Sequence, residues 1–268
     1  MKYEPEFRHH GIKGMKWGVR RYQNKDGSLT LAGKRRYGEE NTRTLKEGTE
    51  VQNISRRQLD PSSKKSNRIY VSYTDVDNID YIDTMGNFEY DGHGYKNTFV
   101  VKSDIKIASE KEVVKTLAEM YKENPKEVSD MMAKAYNAVN APIIFSKTGK
   151  GFERKLEALE KDPDSKESME LGRQFLTTVP MSTKTSSLAD DFYGRMVEKG
   201  FDAVLDPNDA YGLSRSQDPL IIFNMEKLGK VNSVELTKED LESAFEYVGS
   251  KEFKKKKKDV SSIVHGWR

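Results

Sequence analysis

Cysteine is absent from the 268-residue chain. That excludes disulfides and thiolate zinc sites, and it suits a reducing compartment. No apolar run approaches the roughly 18 residues that a membrane helix needs, and the N-terminus lacks the apolar stretch of a secretory signal, so no membrane partner is expected. Histidine is scarce, with four in the chain. His9 and His10 are adjacent, and neighbouring side chains share an ion poorly. His93 and His265 lie far away in sequence. No His/carboxylate spacing follows a zinc motif, so no metal is expected. The glycines of "HGIKGMKWG" lack the spacing of a phosphate-binding loop. The acids of "DVDNIDYID" (75–83) lack the glycine and closing glutamate of a calcium loop, and read as a solvated acidic loop or short helix.

What is present is unevenly spread. Hydrophobic residues make up 35% and charged residues 33%, a polar balance in which runs such as "PLIIF" still suffice for a core. Residues 1–46 carry 12 Lys and Arg against 5 Asp and Glu, whereas the remaining 222 carry 34 against 38. A basic N-terminal arm (1–46) therefore precedes a mildly acidic body (47–249), and a basic, mobile tail (250–268) follows.

Within the body the hydrophobic period changes twice. "GTEVQNIS", "NRIYVSYT" and "YKNTFVVKSDIKIAS" are rich in β-branched and aromatic residues and read as strands. From about 109 to 199 the period is helical. Ser109 with Glu112 forms a capping-box pattern, and Val113, Leu117, Met120 and Tyr121 share one face. The pair Met131–Met132 reads as helix packing. "SSLADDFYGRMVEKG" is a further helix ending at Gly200. Strand character returns with "FDAVLD", "PLIIFN" and "GKVNSVELT", separated by the loop "PNDAYGLSRSQD". Thr237 and Gly249 bound a last helix. Strands, then helices, then strands predict an α+β fold with a mixed sheet and a helical insertion.

The arm carries the most specific stretch, "HHGIKGMKWGVRRYQNKDGS". Trp17 is an anchor type enriched at interface hot spots. Lys13, Lys16, Arg20 and Arg21 would steer a partner, Met15 adds apolar contact, and the glycines permit close backbone approach. Basic residues interleaved with Trp17, Tyr22 and Tyr37 also fit nucleic acid, through phosphate contacts and stacking. The run "EFKKKKKD" reads as a solvated tail.

The pattern from His9 to Arg21, H-x-G-x-KGMKWGVRR, resembles a segment common in proteins of tailed phages and prophages of Gram-positive bacteria. The resemblance implies a bacteriophage protein encoded among head genes, present in the host cytoplasm during assembly and then in the virion. It implies a phage head or portal protein as partner, and it implies no reaction. "EGTEVQNIS", "NRIYVSYT", "GFDAVLD" and "DPLIIFNMEKLGKVNSV" resemble, in order, pieces of phage ADP-ribosyltransferase-like domains over roughly 46–236. Such domains bind NAD. They carry an arginine on the first strand, a Ser-Thr-Ser-like element on a central strand and a catalytic glutamate before a late strand. At those places this chain has Asn53, Ser72 and the pair Gln217–Asp218. The resemblance therefore implies the fold with a degenerate site, in which Arg56, Arg57 or Arg68 would have to replace the missing arginine. The leading expectation is a capsid-packaged accessory protein, without enzymatic activity or cofactor, recruited through its arm. The alternatives are an ADP-ribosyltransferase using NAD on a host target, and a DNA-binding head protein.

Overall fold

Among the described residues, β-branched and aromatic segments form eight strands, and the long amphipathic stretch between two of them forms five helices. The computed structural model describes residues 43–61, 67–86, 94–138, 150–180, 186–211 and 216–264. The strands are β1 (Arg43–Leu45), β2 (Glu50–Ser55), β3 (Ile69–Val71), β4 (Tyr95–Val101), β5 (Ile105–Ala108), β6 (Ala203–Leu205), β7 (Leu220–Ile222) and β8 (Leu228–Glu235). The helices are α1 (Asp75–Thr84), α2 (Glu110–Glu123), α3 (Pro125–Ala138), α4 (Lys150–Lys161), α5 (Lys166–Thr178), α6 (Ser186–Glu198), α7 (Pro207–Tyr211), α8 (Lys238–Gly249) and α9 (Lys251–Val264). The fold is α+β.

Five strands form a mixed sheet in the order β1-β5-β6-β7-β3, with β5 and β6 parallel and the other pairs antiparallel. Strands β2-β4-β8 form an antiparallel sheet, with a register shift between Thr98 and Phe99. A bridge between Gln52 and Ser72 joins β2 to the end of β3, through backbone bonds of 2.7 and 2.9 Å.

Strand β2 follows β1 after a turn in which Gly48 takes φ 81°, a left-handed value that glycine adopts without a Cβ clash. The same β2 is bonded to β3, the opposite edge of the five-stranded sheet. Strand β2 thus links the two edges, β1 through the chain and β3 through hydrogen bonds.

Five helices fill the crossover between the parallel strands β5 and β6. Ser109 caps α2, its hydroxyl accepting from the Glu112 N–H, as the Ser-x-x-Glu spacing predicts. Val113, Leu117 and Met120 of that helix are buried, and Tyr121 is partly so. They share a core with Met132, Leu159, Leu171, Phe175 and Phe192. Phe175 and Phe192 meet at 4.8 Å, Phe192 and Tyr193 at 5.3 Å, and Tyr193 and Phe223 at 5.0 Å. These tilted, edge-on and stacked contacts carry the helical core onto β7. Gly200, at φ 82°, ends α6 and turns the chain into β6.

Three boundaries differ from the sequence expectation. Residues 43–45, assigned to the arm, are strand β1 of the larger sheet. The acidic 75–83 segment is helix α1, capped by Thr74, with Asp77 and Asp80 buried rather than solvated. The segment expected as a mobile tail is helical from Lys251 to Val264. Its Phe253 is 2% exposed, and its Lys257 pairs with the buried Asp80 of α1. Asp80 neutralised by Lys257 and Phe253 removed from water are tertiary gains that a local pattern does not contain.

Candidate functional site at the sheet junction

Three of the residues singled out by sequence, Ser72, Gln217 and Asp218, lie around the first turn of α1. Thr74 there accepts from the Asp77 N–H, and Asp75 and Asp77 place negative charge at the positive end of the helix dipole. Asp77 is fully buried. One of its carboxylate oxygens accepts from the Gln217 N–H at 2.6 Å, the other from the Asp218 N–H at 2.7 Å. Burial pushes the Asp77 carboxyl up, and the two backbone donors hold it down. One side chain of α1 thus fixes the backbone that enters β7.

Asp218 points the other way. It accepts from both terminal nitrogens of Arg43 on β1 and from the Tyr73 hydroxyl just past β3. The Arg43 guanidinium lies 5.4 Å from the Tyr73 ring centroid. The Asp218 side chain is 3% exposed, and that of Arg43 is 24% exposed. Burial pushes the Asp218 carboxyl up to about 7. The guanidinium in bidentate contact acts against that, because an adjacent opposite charge favours the ionised form. The fork geometry points to the ion pair as the resting state. It ties edge strand β1 to the chain that enters β7.

Ser72 and Asn53 are committed elsewhere. The fully buried Ser72 donates its hydroxyl proton to Asn78 of α1 at 2.5 Å. Asn53 donates to the Tyr70 carbonyl at 2.8 Å, and its oxygen lies 3.4 Å from the Asn97 amide. Ser72, Gln217 and Asp218 therefore surround one turn of α1, and Asn53 lies one bridge away on β2 with its side chain turned to Tyr70 and Asn97.

A second pair of acids flanks the same segment. Asp206 ends β6, is 2% exposed, and accepts from the Asn208 N–H at 2.9 Å. Burial, and then the charge of Asp209, push its carboxyl up to about 7. Asp209 accepts from the Tyr81 hydroxyl at 2.8 Å, and its carbonyl accepts from the Ser216 N–H at 2.9 Å. The three carboxylates of Asp206, Asp209 and Asp218 thus accept from donors within the body. Among the described residues no group of three or more His, Asp and Glu could hold a metal ion.

The arginine at this site is one that the sequence missed. Arg68 donates to the Pro180 carbonyl at 3.0 Å and lies 5.4 Å from the Tyr193 ring. Arg56 and Arg57 are exposed. Arg43 meets Asp218 instead, and the signal for it was a three-residue strand before a Lys-Glu-Gly turn. Tyr73 and Asp77 were also missed. Their roles depend on partners 145 and 140 residues away. The docking candidates Lys13, Met15, Lys16, Trp17, Arg20 and Arg21 lie outside the described residues.

Residues 2–24 match a family described as a family of unknown function, DUF7211. That match covers the segment around Trp17 and none of the body. No curated protein and no solved structure matches the chain. No helix among the described residues is long and apolar enough to cross a membrane.

Proposed function

We propose that this chain is a non-enzymatic accessory protein of a tailed phage or prophage, packaged with the capsid. Its N-terminal segment docks on a head or portal protein. Its body is a two-sheet core of the ADP-ribosyltransferase-like kind whose catalytic positions have become structural. The supporting observation is the commitment of Asp218, which stands where the resemblance puts the catalytic glutamate. Both oxygens of a nearly buried carboxylate already accept from Arg43 and Tyr73. A carboxylate held in this way cannot steady a developing positive charge on a ribose without first losing its arginine. Ser72 has no exposed surface, and Arg43 is engaged by Asp218. The residues present do not fit NAD, and no step through NAD follows.

Recruitment rests on the segment that contains Trp17 and its basic neighbours, which suits an anchor with steering charge. The test has two arms. Full-length protein incubated with labelled NAD and host lysate transfers no label to itself or to any lysate protein; transfer would reinstate the enzyme. A chain lacking residues 1–42 keeps the circular dichroism of the body and no longer co-sediments with heads. Co-sedimentation that persists would place recruitment in the body.

A further inference from the structure

The C-terminal helix α9 carries a lysine face that the fold leaves to solvent. Its opposite side is used. Phe253 is buried, Lys257 pairs with Asp80 of α1, and the Phe253 ring meets Tyr247 of α8 at 5.5 Å. Lys256 is drawn to the flank, where it pairs with Glu252 at 3.0 Å and donates to the Tyr247 hydroxyl at 2.9 Å. Lys251, Lys254 and Lys255 are exposed and form no ion pair among the described residues. At positions i, i+3 and i+4 they stand on one face, over about 6 Å of helix axis.

Among the acids near in sequence, Asp240 closes the capping box with Thr237, Glu242 lies 3.5 Å from Lys238, and Glu252 is taken by Lys256, whereas Glu239 and Glu246 are exposed. The lysine face is thus a positive ridge beside partly engaged acids. An anionic membrane would find no free apolar contact at Phe253, which is packed into the protein. A phosphate backbone needs only spaced cations. Double-stranded DNA offers one charge per about 3.4 Å of axis on each strand, which three lysines over about 6 Å can track.

We propose that Lys251, Lys254 and Lys255 of α9 form a sequence-independent contact site for the phosphate backbone of duplex DNA. The site uses none of the sheet-junction carboxylates. Neutralising about three phosphates contributes about −2.7 to the slope of log affinity against log salt.

The test compares full-length protein with the full-length variant K251Q/K254Q/K255Q on a labelled 30-base-pair duplex of arbitrary sequence. Affinity is measured between 50 and 200 mM salt. The expected result is a salt slope shallower by two to three in the variant, so that the wild-type advantage in affinity grows about 16- to 64-fold between 200 and 50 mM salt. The variant K251R/K254R/K255R keeps the wild-type slope. Equal slopes and affinities for wild type and the glutamine variant would overturn the proposal. So would a loss in the arginine variant matching that in the glutamine variant. Wild-type binding to phosphatidylserine vesicles, without binding to the duplex, would reassign the ridge to a membrane surface and also overturn it. Circular dichroism of the variants confirms that α9 stays folded.

Discussion

The helical layer and the sheet junction are held by opposite means. Between β5 and β6 the interior is aliphatic and aromatic, with Phe175, Phe192, Leu171 and Met196 having no exposed surface. Its charges lie at the rim, as in the Arg173–Glu110 pair. At the junction the buried residues include Asp77, Asp206, Asp218, Ser72 and Asn97. There each carboxylate is steadied by a backbone N–H, a hydroxyl or a guanidinium. The first region gains from removing apolar surface from water, which is non-directional and tolerates repacking. The second gains only while every partner remains, because an orphaned buried polar group costs more than its bond contributed. The described carboxylates of this junction already have partners within the body, as the accessory-protein proposal requires.

The largest way to break the contrast is in the helical layer. Phe175→Ala should cost about 3–5 kcal/mol of unfolding free energy in a denaturant titration, through the cavity it leaves against Phe192. Next is Arg43→Ala, which strands the Asp218 carboxylate. It should cost about 3 kcal/mol, and Arg43→Ala/Asp218→Leu should recover part of that loss, because removing both charges is cheaper than removing one. A double variant no more stable than Arg43→Ala would show that the pair contributes nothing as a pair.

A pH titration separates the regions further. The Asp206 carboxyl, pushed up to about 7 in the fold, would titrate near 4 in the unfolded chain. Between those values the folded state binds more protons, so this group makes stability fall as pH rises from about 4 to 7, by an amount on the order of a few kcal/mol. Asp209 is the charged group that acts on it, and the N–H groups of Asn208 and Asp209 oppose the rise. Asp206→Asn should flatten the pH dependence over that window, and Phe175→Ala should not. The smallest effect is local: Thr237→Ala removes the α8 cap and should cost about 1 kcal/mol in the same titration.

The same contrast governs what the sequence reveals. The caps at Ser109 and Thr237 and the apolar face of α2 were legible, because each is written within about ten residues. Strands β2 to β8 were legible as segments, from their β-branched and aromatic content, and β1 was not. Their order was not, since it depends on which edges meet. Arg43 was hidden because its partner lies 175 residues away. "EFKKKKKD" reads as a tail because Lys257 finds Asp80 of helix α1, and Phe253 its burial, only in three dimensions. Asn53 and Ser72 were placed near the junction by resemblance, and what the resemblance does not convey is that their side chains bond to Tyr70 and Asn78.

The Arg43–Asp218 pair also sets a timetable. A ribosome adding about 5–20 residues per second reaches Asp218 about 9–35 s after Arg43. Until then β1 has β5 to pair with but nothing to tie it to the chain beside β7. Contacts of such long sequence separation slow folding, because the loop they close must first be ordered. Closing this pair is therefore a late step, followed by β8 joining β4 and α9 reaching α1, and nascent chains interrupted before Asp218 should be captured by chaperones that bind unpaired strand edges.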